Sequence, residues 1–254
     1  MERNEKCFCG SGIKYKKCHY GVYENSLVGK KIKFYSDLDK ILLNDVKFKC
    51  KVDCCECCSD YFYISEEEFL VIMNYMITHF SENEINIIRK KAKEYMKHIE
   101  IINKDEFIEL NNIQEGIREI NGIHEFLRVN TNIKLPCVFL KEGRCSIYPV
   151  RPTVCRLFGS VSKILYCNNM EINGDFIDYK YLNDKLEYGS VYTEFSNILG
   201  KSYIEKPYPI ADYIESLYDN YMEFGKYDCA IKEDTKEFIK RKINVIKMQK
   251  WKTF

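Results

Sequence analysis

Eleven of the thirteen cysteines in this chain fall into three groups: Cys7, Cys9 and Cys18; Cys50, Cys54, Cys55, Cys57 and Cys58; and Cys137, Cys145 and Cys155. An odd total cannot be exhausted by disulfides within one chain, and about 5% cysteine lies below the ~8–10% of a short secreted disulfide scaffold. Nor does the chain need staples. At 30.3 kDa, surface scaling lets it bury about 73% of the area its unfolded form exposes. Its first residues, Met1-Glu2-Arg3-Asn4-Glu5-Lys6, are charged, and no run of about 18 apolar residues follows. The reading is a soluble, cytoplasmic protein with no membrane partner. In a reducing cytosol, thiols at short fixed spacings bind metal or do redox chemistry. With 39 basic and 38 acidic side chains, the net charge of +1 argues against a nucleic-acid or membrane binder driven by bulk charge.

The hydrophobic pattern divides the chain into residues 1–22, 30–170 and 171–254. The first segment has almost no core-forming residues and cannot fold on burial alone. In the second, Ser65-Glu66-Glu67-Glu68 is a capping-box signature, and Phe69, Ile72, Met73, Met76 and Phe80 follow at helical spacing. Ser81 to Glu84 repeat the signal ahead of Ile85, Ile88, Ala92, Tyr95 and Ile99. A third helix is expected to carry Phe107, Leu110, Ile117 and Ile120. Val138–Leu140 and Cys145–Tyr148 read as short extended pieces around the turn-like Lys141 to Arg144, with Pro152 opening a short helix through Cys155. The last segment predicts helices through Tyr213 to Met222 and Phe238 to Met248, the latter with a solvated lysine face, packed on the core as an extension. The expected fold is therefore mainly helical with a minor β component, a helical domain around a cysteine-rich metal centre and a small amino-terminal zinc-binding motif.

Cys7, Cys9, Cys18 and His19 form a C-x-C-x8-C-H pattern, four ligands within thirteen residues. That is the complement of one closed structural Zn²⁺ site. Gly10 and Gly12 allow the tight turn between the first ligands. Three thiolates and a neutral imidazole leave a net charge of about −1, which Lys14, Lys16 and Lys17 are placed to offset. The metal would supply folding free energy on the order of 10 kcal/mol.

The second set is Cys50, Cys54, Cys57 and Cys58 with Cys137, Cys145 and Cys155. Cys54/Cys57 and Cys55/Cys58 are two registers of a C-x2-C knuckle, and neighbouring side chains diverge, so the spacing leaves the ligand assignment open. The surplus of thiols suits a [4Fe–4S] cluster, two zinc ions, or one metal with a redox pair. Arg151 and Arg156 stand where they could offset a thiolate centre. Tyr148 reads as core, Cys229 as a buried free thiol, and His79, His98 and His124 as structural. No catalytic residue is assignable, and no G-x-G-x-x-G loop supports a nicotinamide or flavin enzyme.

Residues 7–19 resemble the SEC-C motif, which implies Zn²⁺ on Cys7, Cys9, Cys18 and His19 and docking to a protein or ribosome through residues 1–22. Residues 48–160 resemble the YkgJ family, also called the CxxCxxCC zinc- or iron-chelating domain. The resemblance rests on Cys50, Cys54-x2-Cys57-Cys58, Pro136-Cys137-x-Phe139-Leu140 and Cys145-x-Ile147-Tyr148-x2-Arg151-Pro152-x2-Cys155-Arg156. It implies a zinc or iron–sulfur centre on those cysteines. The family pattern has two residues between its first two cysteines where this chain has three, which leaves open whether Cys50 or Cys55 joins the set. The favoured function is a metal-ion-binding protein with a structural zinc docking motif and a zinc- or iron-sulfur-binding cysteine-cluster domain. Two alternatives stand beside it: an iron–sulfur oxidoreductase or protein-lysine methylase-like enzyme, and a metal chelator or sensor.

Overall fold

A computed structural model describes residues 1–45, 55–104, 117–119, 129–158, 181–182, 186, 203–205 and 208–251. Helices dominate, as the hydrophobic periodicity predicts. Helix α1 (Leu27–Asp45) is capped by Ser26, whose Oγ accepts the Gly29 N–H at 3.1 Å. Strand β1 (Asp60–Ile64) leads directly into α2 (Glu66–His79), and α3 (Glu82–Ile102) follows. At the start of α3 both halves of the capping box form. The Glu84 N–H donates to Ser81 Oγ at 3.3 Å, and the Ser81 N–H donates to Glu84 Oε2 at 3.0 Å.

Helix α2 is the centre of the molecule. Its residues from Glu66 to Asn74 are buried without interruption, so it is enclosed on every side, whereas α3 buries only the stripe Ile88, Ala92, Met96 and Ile99. Phe69, Leu70, Ile72, Met73 and Met76 of α2 join Leu38, Tyr61, Ile64, Ile99, Phe139 and Tyr213 as the most deeply buried large side chains.

The β structure is slight. β2 (Ile117–Glu119) pairs with β6 (Tyr203–Glu205), and β1 is the middle strand between β3 (Val129–Lys134) and β7 (Tyr208–Pro209), all antiparallel. Ile117 thus lies in a strand, not in the helix expected there. Ile117-Arg118-Glu119 is short, opens on a β-branched residue and finds a partner in Tyr203–Glu205, and that pairing outweighs a weak helical period. Phe107, Leu110 and Ile120, the other positions of that expectation, lie outside the described residues.

Strands β4 (Leu140–Lys141) and β5 (Arg144–Cys145) form a hairpin closed by Glu142 and Gly143. Both turn residues have positive φ, 51° and 75°, the backbone that a two-residue hairpin requires. After a single 3₁₀ turn at Tyr148–Val150 comes the short helix α4 (Thr153–Leu157). A helical stretch then runs through α5 (Ile210–Asp212), a π-helical segment Tyr213–Leu217 and α6 (Tyr218–Glu223). Helices α7 (Lys226–Lys232) and α8 (Thr235–Trp251) complete the described chain, close to the carboxyl-terminal helices expected. Among the described residues, no helix is long and apolar enough to cross a membrane.

Candidate metal centres

The amino-terminal ligands are brought together by a tight double-back of the chain. Lys6 and Lys14 form a β-bridge, the Cys7 N–H donates to Ile13 O at 2.8 Å, and the Tyr15 N–H donates to Glu5 O at 2.8 Å. Gly10 and Gly12 turn the loop between them with φ near +76° and +75°. A 3₁₀ turn at Tyr15–Lys17 then swings Cys18 and His19 back over Cys7 and Cys9.

The donor atoms of Cys7, Cys9, Cys18 and His19 all lie within 4.8 Å of one another. His19 Nδ1 is 3.3 Å from Cys7 Sγ and 3.3 Å from Cys18 Sγ, and Cys9 Sγ is 3.6 Å from Cys18 Sγ. A tetrahedral Zn²⁺ with ordinary Zn–S and Zn–N bonds has donor–donor edges of about 3.5–3.8 Å, so these side chains fit an ion at their centre. The sulfur–sulfur distance is too long for a disulfide. Cys7 and Cys9 are buried, and Phe8 packs against the His19 ring with centroids 5.6 Å apart.

Burial governs the protonation of the set. It pushes the Cys7 thiol up to about 12, with the neighbouring Cys9 and Cys18 charges adding to the rise, and it pushes Cys18 up as well. Cys9 is held below its ordinary value because bonds from Ser11 overcome the penalty of burial. Burial lowers His19 to about 4, so its imidazole is neutral and its ring nitrogen is free to ligate at neutral pH. Filling the site therefore releases thiol protons. Lys14, Lys16 and Lys17 are exposed around it, while Lys40 of α1 lies over the turn, with its Nζ 3.1 Å from where a side chain on Gly10 would begin.

The described cysteines expected at the second centre come from four segments. Cys57 sits in a 3₁₀ turn at Glu56–Ser59. Leu135 and Cys137 pair with that turn through their N–H groups, to Ser59 O at 2.9 Å and Cys58 O at 2.6 Å. The β4–β5 hairpin places Cys145 opposite Leu140, and α4 supplies Cys155. The thiols of Cys137, Cys145 and Cys155 are all raised, first by burial and then by one another or by Cys57. Cys137 reaches about 12, and Cys155 goes well above the usual thiol range. Charge on Cys57 adds to the rise at each of the three. Lys91 eases the charge on Cys137, and Arg151 does so for Cys145. An all-thiolate donor set suits Zn²⁺ or an iron–sulfur cluster. Among the described residues, only the amino-terminal set has every donor atom within 4.8 Å of the others.

Cys58, expected as a ligand, contributes its carbonyl to Cys137, and Cys55 contributes its carbonyl to the Cys58 N–H at 2.9 Å. Cys50, Cys54, Cys167 and His124 lie outside the described residues. Tyr148 is not core: the residue is 57% exposed, and its ring lies against Arg151, whose guanidinium is 4.0 Å from the ring centroid. A tyrosine three residues before an arginine can satisfy its apolar face by cation–π contact on the surface. Arg156 is buried and bonds to carbonyls and a carboxylate: Nε to Arg151 O at 2.8 Å, Nη2 to Pro149 O at 2.7 Å and Nη1 to Asp39. Cys229 is half-buried and accepts from Arg241 Nη1 at 3.0 Å.

The sequence reading missed Glu68. The carboxylates nearest the second cysteine set in sequence are Asp53, Glu56 and Glu142, yet the fold brings Glu68 against Thr153, two residues before Cys155. The available signal was the run Glu66-Glu67-Glu68 itself, more acidic than a capping box needs, and all three are buried.

Two family models match segments of the chain. The model of the SEC-C motif matches residues 3–21, and the model described as "Putative zinc- or iron-chelating domain", CxxCxxCC, matches residues 49–173, just under half of the chain. No curated protein and no solved structure matches the chain significantly. The oxidoreductase, methylase-like, and chelator or sensor readings gain no support from the fold or from these matches. The chain thus joins a segment matched by the SEC-C model, residues 3–21, to one matched by the CxxCxxCC model, residues 49–173, and its four amino-terminal donors are grouped as a metal ion requires.

Proposed function

We propose that Cys7, Cys9, Cys18 and His19 hold a structural Zn²⁺ that shapes a docking surface, and that a second centre in the CxxCxxCC domain holds zinc or an iron–sulfur cluster. The donors assigned to that second centre come from Cys50, Cys54, Cys57, Cys58, Cys137, Cys145 and Cys155. The observation that carries the reading is the closed set of four donor atoms within 4.8 Å. A closed site has no vacant position for a substrate or an activated water, which favours a structural role at residues 1–22 over a catalytic one.

Anaerobic purification with metal analysis and an absorbance spectrum tests both assignments. Zinc at the first centre should persist in every preparation. Broad absorbance near roughly 400 nm identifies an iron–sulfur second centre, and a colourless protein with two zinc ions per chain identifies zinc. A chain that binds no zinc when loaded under reducing conditions sinks the proposal.

The docking role is supported by the surface around the first centre, where Lys14, Lys16, Lys17, Ile13 and Tyr20 are exposed on a fold too small to use them as core. The partner class is a protein or the ribosome. Co-sedimentation with ribosomes, and capture of a specific protein by the immobilised full chain, should both be compared with a Lys14→Glu/Lys16→Glu/Lys17→Glu variant. Association that is unchanged in the variant counts against this surface.

A further inference from the structure

We infer that Glu68 is a positioning residue for the second centre, fixing the short helix that carries Cys155; this rests on the reading of Cys57, Cys137, Cys145 and Cys155 as metal donors. Helix α4 begins at Thr153 after Pro152, which has no side-chain group able to cap it. The first N–H groups of a helix have no partner within it and need one from elsewhere. Glu68, on α2 and 85 residues away in sequence, supplies it. Its Oε1 accepts the Thr153 N–H at 2.8 Å and also the Thr153 hydroxyl.

The carboxylate is itself fully engaged. Oε1 accepts from the Tyr35 hydroxyl at 3.1 Å and lies 3.4 Å from Lys31 Nζ, while Oε2 accepts the Ser65 N–H at 3.2 Å. With these bonds in place, and only 5% of the residue exposed, Glu68 is a support and not a metal ligand. The other side of Cys155 is held in the same way. Arg156 is fixed by Asp39 and by two carbonyls, and its guanidinium lies 4.2 Å from the Tyr35 ring centroid. Lys31, Tyr35 and Asp39 recur every four residues along α1, so one face of α1 anchors both the Glu68 contact and Arg156. Cys155 thus lies between two residues, Thr153 and Arg156, that α2 and α1 hold in place. Metal affinity depends on donors placed within a few tenths of an ångström.

The test uses the full chain loaded anaerobically with Co²⁺, read by its thiolate-to-cobalt absorption and by competition with a chelator. The wild type should bind two ions. Glu68→Gln should weaken one of them by about tenfold to a hundredfold and shift its all-sulfur spectrum, leaving the three-sulfur, one-nitrogen centre unchanged. Thr153→Val, which removes one donor to the carboxylate and keeps Lys31 and Tyr35 in place, should weaken the same ion by less. If Glu68→Gln fails to fold by circular dichroism, Thr153→Val alone decides. Two ions held with wild-type affinity and spectrum in Thr153→Val, or in a folded Glu68→Gln, overturn the proposal. A wild type that binds one ion overturns the second centre, and the proposal with it.

Discussion

At the scale of single residues, the chain's most demanding feature is Glu66, buried at the start of α2. Its carboxylate receives the Tyr221 hydroxyl and the Lys242 ammonium, and Lys226 Nζ stands 3.6 Å away. Against the penalty of burial, the charges of Lys242 and Lys226 hold its pKa below the usual carboxylate range. Lys242 is itself only 9% exposed, so the pair locks α8 onto α2 deep in the molecule. Removing one partner of a buried pair strands the other. Lys242→Met should therefore destabilise the fold by about 3 kcal/mol, the low end of the usual range because Lys226 remains. Pairing it with Glu66→Gln should recover part of the loss, which a double-mutant cycle in denaturant melts would read. The pH dependence has a definite sign. With a folded pKa below the unfolded one, the Glu66 contribution is fully present above about pH 4.5 and is lost as pH falls through the folded value. Glu68, lowered mainly by Lys31 and Thr153 against its own burial, acts in the same direction. Metal-stripped wild type should thus lose stability more steeply below about pH 4.5 than the double variant; parallel curves would mean that Glu66 is not ionised in the fold.

Among the elements, those specified by contiguous residues were legible. Ser81 and Glu84 are three residues apart and need only each other to start α3. The hairpin at 140–145 needs only Glu142-Gly143 to turn, and Cys7 to His19 needs only its two glycines and a short helical turn. The second centre is different because its geometry comes from long-range contacts. Cys137 is set by pairing with Cys58, and the neighbours of Cys155, Thr153 and Arg156, are held by Glu68 and Asp39, 85 and 117 residues away from them. No spacing rule records such contacts, so the sequence names the thiols but not what surrounds and supports them. The expected helix through Ile117 failed for the same reason: its partner strand, Tyr203–Glu205, lies far along the chain. Tyr148 failed because side-chain type alone does not tell an inward ring from one resting on a neighbouring arginine.

Across the whole molecule, the amino-terminal motif is fastened to the rest at several points. Cys7, Cys9, Tyr15 and Val22 belong to the same buried cluster as α1 and α2. The Tyr23 N–H donates to Ile231 O at 2.8 Å, and Thr235 donates to Asn25 O through both its N–H and its hydroxyl, at 3.0 and 2.8 Å. The beginning of the chain is thereby joined to helices α7 and α8. Helix α1 has the metal motif against Ser36 and Lys40 and the support of the second centre against Lys31, Tyr35 and Asp39. Cys9→Ala should therefore cost more than one metal ion. It should retain the helical circular dichroism of the main body, which has its own core around α2, while lowering the melting temperature by about 5–10 °C, the effect of a few kcal/mol in a chain of this size. Stripping the first ion from the wild type by a chelator should produce a similar drop. A melting temperature unchanged in Cys9→Ala would make residues 1–22 a pendant tag, whereas global unfolding would make the ion a nucleus for the entire fold. The intermediate outcome is expected because Tyr15 and Val22 rely on the metal to hold their loop together but cover a core that α2 and its neighbours have already closed.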